Sequence, residues 1–280
     1  MKRLFTFGCS HTCHHYPTWA NLLGEEFHEL YNFGKGGSGP LYSFHQISSL
    51  VRNRNHFNLT EDDFIVWLIT EENRFDAVVE HFDGGTPHFN TSQIYTIDNQ
   101  AWFTKKYIRE VSVIDGITKT LLYVESVVRL LQNHNLNFRI IPVLDEQTFF
   151  KGKESYYRNY SKNLKKLIGE HTSLQAVSRT IEENPHYYFI EGGELHFDGH
   201  WSIPIHAEFC RRNFDFYKGT NLKKYMNLHK KYITKTVHNN NKWKFPPNDY
   251  QYEISDVEVK KPTISHPLWN INPNDGKKII

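Results

Sequence analysis

Short apolar runs alternate with amphipathic stretches along the first 220 residues of the chain. The runs Leu4–Phe7, Phe64–Ile69 and Phe138–Leu144 have the length and composition of buried strands. Residues 42–54 and 115–133 carry apolar side chains at helical spacing. The run Phe64–Ile69 is apolar almost without interruption, which is typical of a central parallel strand covered on both faces. The pattern predicts an α/β fold with a parallel sheet and helices on both faces.

Shorter elements fill the remaining positions of this alternation. The pattern predicts a helix over Thr18–Phe27, a strand over Glu29–Phe33 and a last short strand over Tyr187–Ile190. Residues 150–184 are basic and rich in tyrosine, and we expect them to be helical. The closing helix is expected over Pro204–Tyr217.

The elements predict one α/β domain over residues 1–220 and a different segment over 221–280. Within the domain, residues 78–112 interrupt the alternation and indicate an inserted loop or hairpin. The last segment is expected to hold a C-terminal helix and an extended tail rich in aromatic residues and proline. Two interpretations of residues 240–280 stay open: the tail packs on its own domain, or it binds a protein partner.

Charge and cysteine content narrow the function classes. The 280 residues include 33 basic and 31 acidic side chains, which gives no electrostatic reason to expect nucleic acid or a membrane as partner. Three cysteines are too few for a disulfide framework. The sequence shows no signal peptide and no transmembrane run, so we expect a soluble, cytoplasmic protein, with association with a virion or another assembly as the alternative.

Three polar features follow the ends of predicted strands. Ser10 stands after the first strand, a glycine-rich turn (Gly34–Gly39) after the second, and Asn73 after the third. The carboxyl ends of parallel strands meet at one edge of a sheet, where ligands bind in such folds. The sequence therefore predicts a site at this edge.

A serine nucleophile would give these features a common chemistry. It needs a base, a group that orients the base, and donors for the oxyanion. His200 is the candidate base and Asp198 the candidate orienting residue, because one loop could hold both. Candidate oxyanion donors are the Ser10 N–H, the Gly37 N–H and the Asn73 amide. Arg74 is a candidate for binding an anionic substrate, with pairing to Asp76 as the alternative.

The order of these motifs resembles the SGNH (GDSL-like) hydrolase family. Residues 8–12 resemble its Gly-Asp-Ser block, with Ser10 at the nucleophile, and residues 32–37 resemble its second block, whose last glycine supplies an oxyanion N–H. In the third block only Asn73 carries over. The segment 198–201 resembles a shortened form of the Asp-x-x-His block, similar to that of alginate-type O-acetyltransferases, and Cys9 replaces the usual aspartate.

The resemblance implies a flavodoxin-like three-layer sandwich and a serine esterase without a cofactor. An O-acetylated carbohydrate is a candidate substrate, because aromatic residues of the 78–112 insertion are suited to stack on sugar rings. Two alternatives stay open: an acyltransferase with the same triad, and a non-catalytic structural or binding module of a larger assembly such as a viral particle. The altered motif blocks favour the second alternative.

Other chemistries fit the residues less well. The cysteines and histidines of residues 9–15 are potential metal ligands, but their spacing matches no zinc pattern, so no metal site is expected. The turn Gly34–Gly39 lacks the Gly-Lys-Ser/Thr ending of a phosphate-binding loop, so no nucleotide is expected.

Overall fold

A computed structural model gives the structure of the chain. It describes residues 3–14, 16–70, 74–79, 88–93, 113–144, 154–181, 186–191, 194–229 and 258–260. The strands are β1 (Arg3–Phe7), β2 (Glu29–Asn32), β3 (Phe64–Ile69), β4 (Arg74–Val79), β5 (His88–Gln93), β6 (Asn137–Pro142), β7 (His186–Glu191), β8 (Glu194–Trp201) and β9 (Glu258–Lys260). The helices are α1 (Trp19–Gly24), α2 (Pro40–Arg52), α3 (Arg54–Phe57), α4 (Val113–Asn133), α5 (Glu154–Ile168), α6 (Leu174–Ser178), α7 (Ile203–Asn213) and α8 (residues 222–229).

The central sheet is parallel and has the strand order β6-β3-β1-β2-β9. In β1, Phe5 lies opposite Tyr31 of β2 and Ile65 of β3. The order β2-β1-β3-β6 is that of the first four strands of a flavodoxin-like sheet. In this order successive strands are added first on one side of β1 and then on the other, so the strand order reverses between β1 and β3. Ligands bind beyond the carboxyl ends of these two strands, and Ser10 follows β1 there.

Helices cover both faces of the sheet because its strands are apolar on both sides. Leu4, Val66 and Leu68 pack on one face with α1 and α7. Phe5 and Trp67 face the other way and pack with α2, α4 and α5. All five side chains are buried, which confirms the predicted α/β fold with helices on both faces of a parallel sheet.

Two antiparallel ribbons lie outside the central sheet. β4 pairs with β5, and the described part of the predicted 78–112 insertion consists of β5 and the last two residues of β4. β7 pairs with β8, so the predicted strand Tyr187–Ile190 belongs to a separate two-stranded ribbon. The segment that contains Asp198 and His200, predicted as a loop, is the end of strand β8.

The described part of the C-terminal segment consists of two pieces. Residues 222–229 form α8, as the predicted C-terminal helix requires. Residues 258–260 form β9, which pairs in parallel with β2 and so places this part of the tail on its own domain. The other tail residues lie outside the described ranges. No helix in the described ranges is long and apolar enough to cross a membrane.

A buried ion pair holds the amino-terminal edge of the sheet. The Arg3 guanidinium donates to the two carboxylate oxygens of Asp63 at 2.9 and 2.5 Å. Asp63 also accepts the Thr60 N–H at 2.9 Å. The pair joins the start of β1 to the start of β3, at the sheet edge opposite Ser10.

Candidate active site

The serine turn, residues 8–13, reverses the chain directly after β1. The N–H groups of Thr12 and Cys13 both donate to the Cys9 carbonyl, at 2.9 and 3.2 Å. Gly8 opens the turn with φ +148°, and a Cβ there would meet the Leu68 carbonyl oxygen at 2.9 Å and the Thr12 hydroxyl. This conformation and this close approach to β3 both require glycine. The turn leaves Ser10 8% exposed at the end of the sheet.

The glycine turn, residues 34–39, packs directly on the serine turn. The Gly8 carbonyl accepts the Lys35 N–H at 2.9 Å and the Ser38 hydroxyl at 3.0 Å. The Asn32 amide donates to the Thr12 carbonyl at 2.9 Å, and its oxygen accepts the Gly34 N–H at 2.9 Å. Two hydrogen bonds therefore join the two predicted turns directly, and Asn32 bridges them with two more.

Two N–H groups in these turns have no hydrogen-bond acceptor in the part of the chain that the structure describes. Among the described residues, neither the Ser10 N–H nor the Gly37 N–H makes a hydrogen bond. Both are donors at the carboxyl edge of the sheet that a ligand oxygen can accept from. They are the two main-chain groups predicted as oxyanion donors.

His200 lies beside the serine turn, at the end of β8. Its ring centroid is 5.0 Å from that of His11 and 4.1 Å from that of His14. The His11 ring also packs on Trp201, with centroids 4.5 Å apart. The ribbon β7–β8 therefore brings His200 against the serine turn, where it contacts His11, the residue that follows Ser10 in the chain.

Burial favours the neutral form of two imidazoles near His200, those of His11 and His206. Burial is the main cause that lowers the pKa of His11 well below its usual range, and the neighbouring His200, His206, Arg74 and His14 lower it further. Burial, followed by the nearby His200, lowers the pKa of His206 to about 3.

His206 belongs to α7 and is fully buried. Neither of its ring nitrogens meets a described partner at hydrogen-bonding geometry, although the Trp201 backbone is close enough to favour the protonated ring slightly. A buried imidazole without good partners is a cost to folding that the surrounding packing must offset.

The structure places some of the predicted site residues close together, and others lie outside the described part of the chain. Ser10, Gly37 and His200 lie on two packed turns and the adjoining ribbon. Arg74 opens β4, and its charge reaches His11 and Asp76. Asn73 lies outside the described residues, and for Asp198 only the backbone in β8 is described.

The Ser10 hydroxyl donates no hydrogen bond to His200. In unliganded sites such catalytic bonds are often long and shorten when substrate binds. No group of three or more histidine, cysteine or acidic side chains among the described residues is arranged to hold a metal ion.

Two features of the site were not predicted. His11 and His14 contact the candidate base, although no partner elsewhere in the chain was predicted for them. Asp76 accepts backbone N–H groups of the glycine turn and of α2, although the sequence suggested only a pairing with Arg74. Both contacts join residues far apart in the chain, so they cannot be predicted from the spacing of residues in any one segment.

Comparison with known proteins adds no further evidence: no family model, curated protein or solved structure matches the chain. The residues of the chain and their geometry therefore carry the functional argument.

The lowered pKa of His206 predicts a loss of stability in acid. The unfolded chain binds a proton at His206 as the pH falls below about 6.5, whereas the folded chain does so only near 3, so stability is lost across this interval. This residue alone is expected to cost about 2 kcal/mol of unfolding free energy between pH 7 and pH 5.

Urea unfolding of the wild type and of His206→Gln at pH 5, 6 and 7 measures this cost. The variant is expected to lose about 2 kcal/mol less than the wild type on acidification, with each protein's value at pH 7 as its own reference. Equal losses in the two proteins would show that the His206 pKa is not lowered.

Proposed function

We propose that the chain is an SGNH-type serine ester hydrolase, with Ser10 as nucleophile and His200 as general base. The observation that carries the proposal is the packing of the serine turn on the glycine turn, in which the N–H groups of Ser10 and Gly37 have no acceptor among the described residues. A nucleophile flanked by two unpaired main-chain donors is the arrangement that acyl transfer requires.

The position of the turns supports the same function. They lie at the carboxyl ends of β1 and β2, beside the point where the sheet order reverses. His200 reaches this point from the ribbon β7–β8 and contacts the ring of His11. Asp198 lies two positions before His200 on the same strand, and both belong to the irregular stretch of the β7–β8 pairing between Phe197 and Trp201.

The reaction follows from these roles. Ser10 Oγ attacks the ester carbonyl while His200 takes its proton, and Asp198 orients the imidazole. The negative oxygen of the tetrahedral intermediate accepts the Ser10 and Gly37 N–H groups and the Asn73 amide. His200 then protonates the leaving alcohol, and water releases the acid. Transfer to another alcohol uses the same residues, and an O-acetylated carbohydrate is the substrate class we propose.

Covalent labelling tests the nucleophile without knowledge of the substrate. The folded protein is treated with a fluorophosphonate, and the modified residue is located by peptide mass spectrometry. We expect one label on Ser10 and none after the protein has been unfolded in urea. A folded protein that stays unlabelled, or is labelled at another serine, would contradict the proposal.

A non-catalytic binding module is the second candidate, and one observation favours it. The Ser10 hydroxyl is not bonded to His200, whose ring instead packs against those of His11 and His14. In this alternative the fold is a scaffold, and the C-terminal tail binds a protein partner within a larger assembly. It predicts no labelling of Ser10, and it predicts that deletion of residues 240–280 abolishes partner binding.

A further inference from the structure

A buried carboxylate joins the glycine turn to strand β4. Asp76 Oδ1 accepts the Gly39 N–H at 2.7 Å, and Asp76 Oδ2 accepts the Tyr42 N–H at 2.7 Å. Asp76 is only 5% exposed. Its two oxygens thus take backbone donors at the first turn of α2, where a capping side chain normally comes from the residue before the helix.

The residue before α2 is a glycine that has no capping side chain. Gly39 occupies this N-cap position, and a Cβ there would meet the Asp76 carboxylate at 2.9 Å and the Arg74 carbonyl at 3.0 Å. The absence of a Cβ lets β4 approach closely enough for its carboxylate to serve as the cap. Asp76 thus does for α2 what the side chain of the N-cap residue does in other helices.

We propose that Asp76 is a positioning residue that fixes the glycine turn, and with it the candidate oxyanion donor Gly37, to strand β4. The glycine turn is bonded to Gly8 at one end and to Asp76 at the other, with Gly37 between them. Asp76 lies on strand β4 and therefore ties the turn that carries this donor to that strand.

The charges around Asp76 make this tie dependent on pH. Lys35 from the glycine turn and Arg74 from β4 favour the carboxylate, and the buried Tyr42 phenol of α2 also faces it. Burial outweighs these contacts and the two N–H bonds and raises the pKa of Asp76 to about 6. The carboxylate is present at neutral pH and becomes a weaker, protonated acceptor in mild acid.

The inference rests on the proposed function, but the tie can be measured without it. Amide exchange and amide proton shifts of Gly39 and Tyr42 are followed by NMR in the wild type, in Asp76→Asn and in Asp63→Asn. Asp63 is the matched control, because it is also a buried carboxylate that accepts a backbone N–H but lies at the opposite sheet edge. Ester turnover is measured on the same three proteins, at a temperature where each is folded.

In Asp76→Asn we expect the hydrogen-exchange rates of the Gly39 and Tyr42 amides to rise at least about 10-fold, because one oxygen acceptor and the negative charge are lost. We also expect kcat to fall about 10-fold to 100-fold with KM changed less than about 3-fold, because only the placement of the oxyanion donors is disturbed. Asp63→Asn should leave both amides and kcat within about 2-fold of the wild type.

Wild-type protein alone provides a further check if Asp76→Asn does not fold. The Gly39 and Tyr42 amide shifts should follow a single transition near pH 6, the same one seen at the Asp76 carboxyl carbon. The positioning role would be overturned if the shifts of these two amides did not change across this transition. It would also be overturned if kcat fell equally in Asp76→Asn and Asp63→Asn. If the wild type and both variants show no ester turnover but the amides of Gly39 and Tyr42 behave as expected, the esterase proposal is rejected and the contact of Asp76 with the glycine turn stands.

Discussion

Replacing Ser10 by alanine should lower kcat for short acyl esters by at least about 10³-fold. The substitution removes the atom that attacks the carbonyl and leaves the N–H donors of Ser10 and Gly37 in the turns. The variant should fold as the wild type does, because the Ser10 side chain makes no hydrogen bond among the described residues. Turnover of p-nitrophenyl acetate by purified proteins measures the effect.

A matched serine separates loss of the nucleophile from loss of any hydroxyl. Ser178 lies at the end of α6 and donates only to the Gln175 carbonyl within its own helix. Ser178→Ala should keep turnover within about 2-fold of the wild type. Equal turnover by wild type and Ser10→Ala would remove Ser10 from the mechanism and support the binding-module alternative instead.

Local patterns predicted the fold well because the central strands are buried on both faces. The continuous apolar run Phe64–Ile69 is strand β3 with the predicted bounds, and the amphipathic run 115–133 lies in α4. Each pattern is imposed by burial of that segment alone. The ribbon β7–β8 was not predicted, because pairing between two short strands depends on contacts that the periodicity of either strand does not record.

The site was predictable in its main-chain parts and not in its surroundings. Ser10 and Gly37 stand in turns whose glycines mark them in the sequence, and the structure packs these turns together. The contacts of His11 with His200 and of Asp76 with Gly39 span long stretches of chain. They follow from where the ribbons that contain β4 and β8 lie beside the central sheet, and the spacing of residues along the chain does not determine this.

Gly8 carries the largest structural constraint in the serine turn, and its replacement should be the most damaging to stability there. Its φ of +148° is one that side-chain-bearing residues rarely adopt, and a Cβ would meet the Leu68 carbonyl oxygen of β3 at 2.9 Å. A backbone carbonyl within a strand cannot move aside as a flexible side chain can, so the clash is not relieved by a local shift. We expect Gly8→Ala to lower the free energy of unfolding by at least about 3 kcal/mol.

Gly36 provides the control, because a Cβ there meets no atom within 4 Å. Gly36→Ala should change the unfolding free energy by less than about 1 kcal/mol. Urea unfolding at pH 7 compares both variants with the wild type. Gly8→Ala should also lose ester turnover at temperatures where it remains folded, since relief of the clash displaces the turn that presents Ser10. A Gly8→Ala protein as stable and as active as Gly36→Ala would mean that the turn does not depend on close contact with β3.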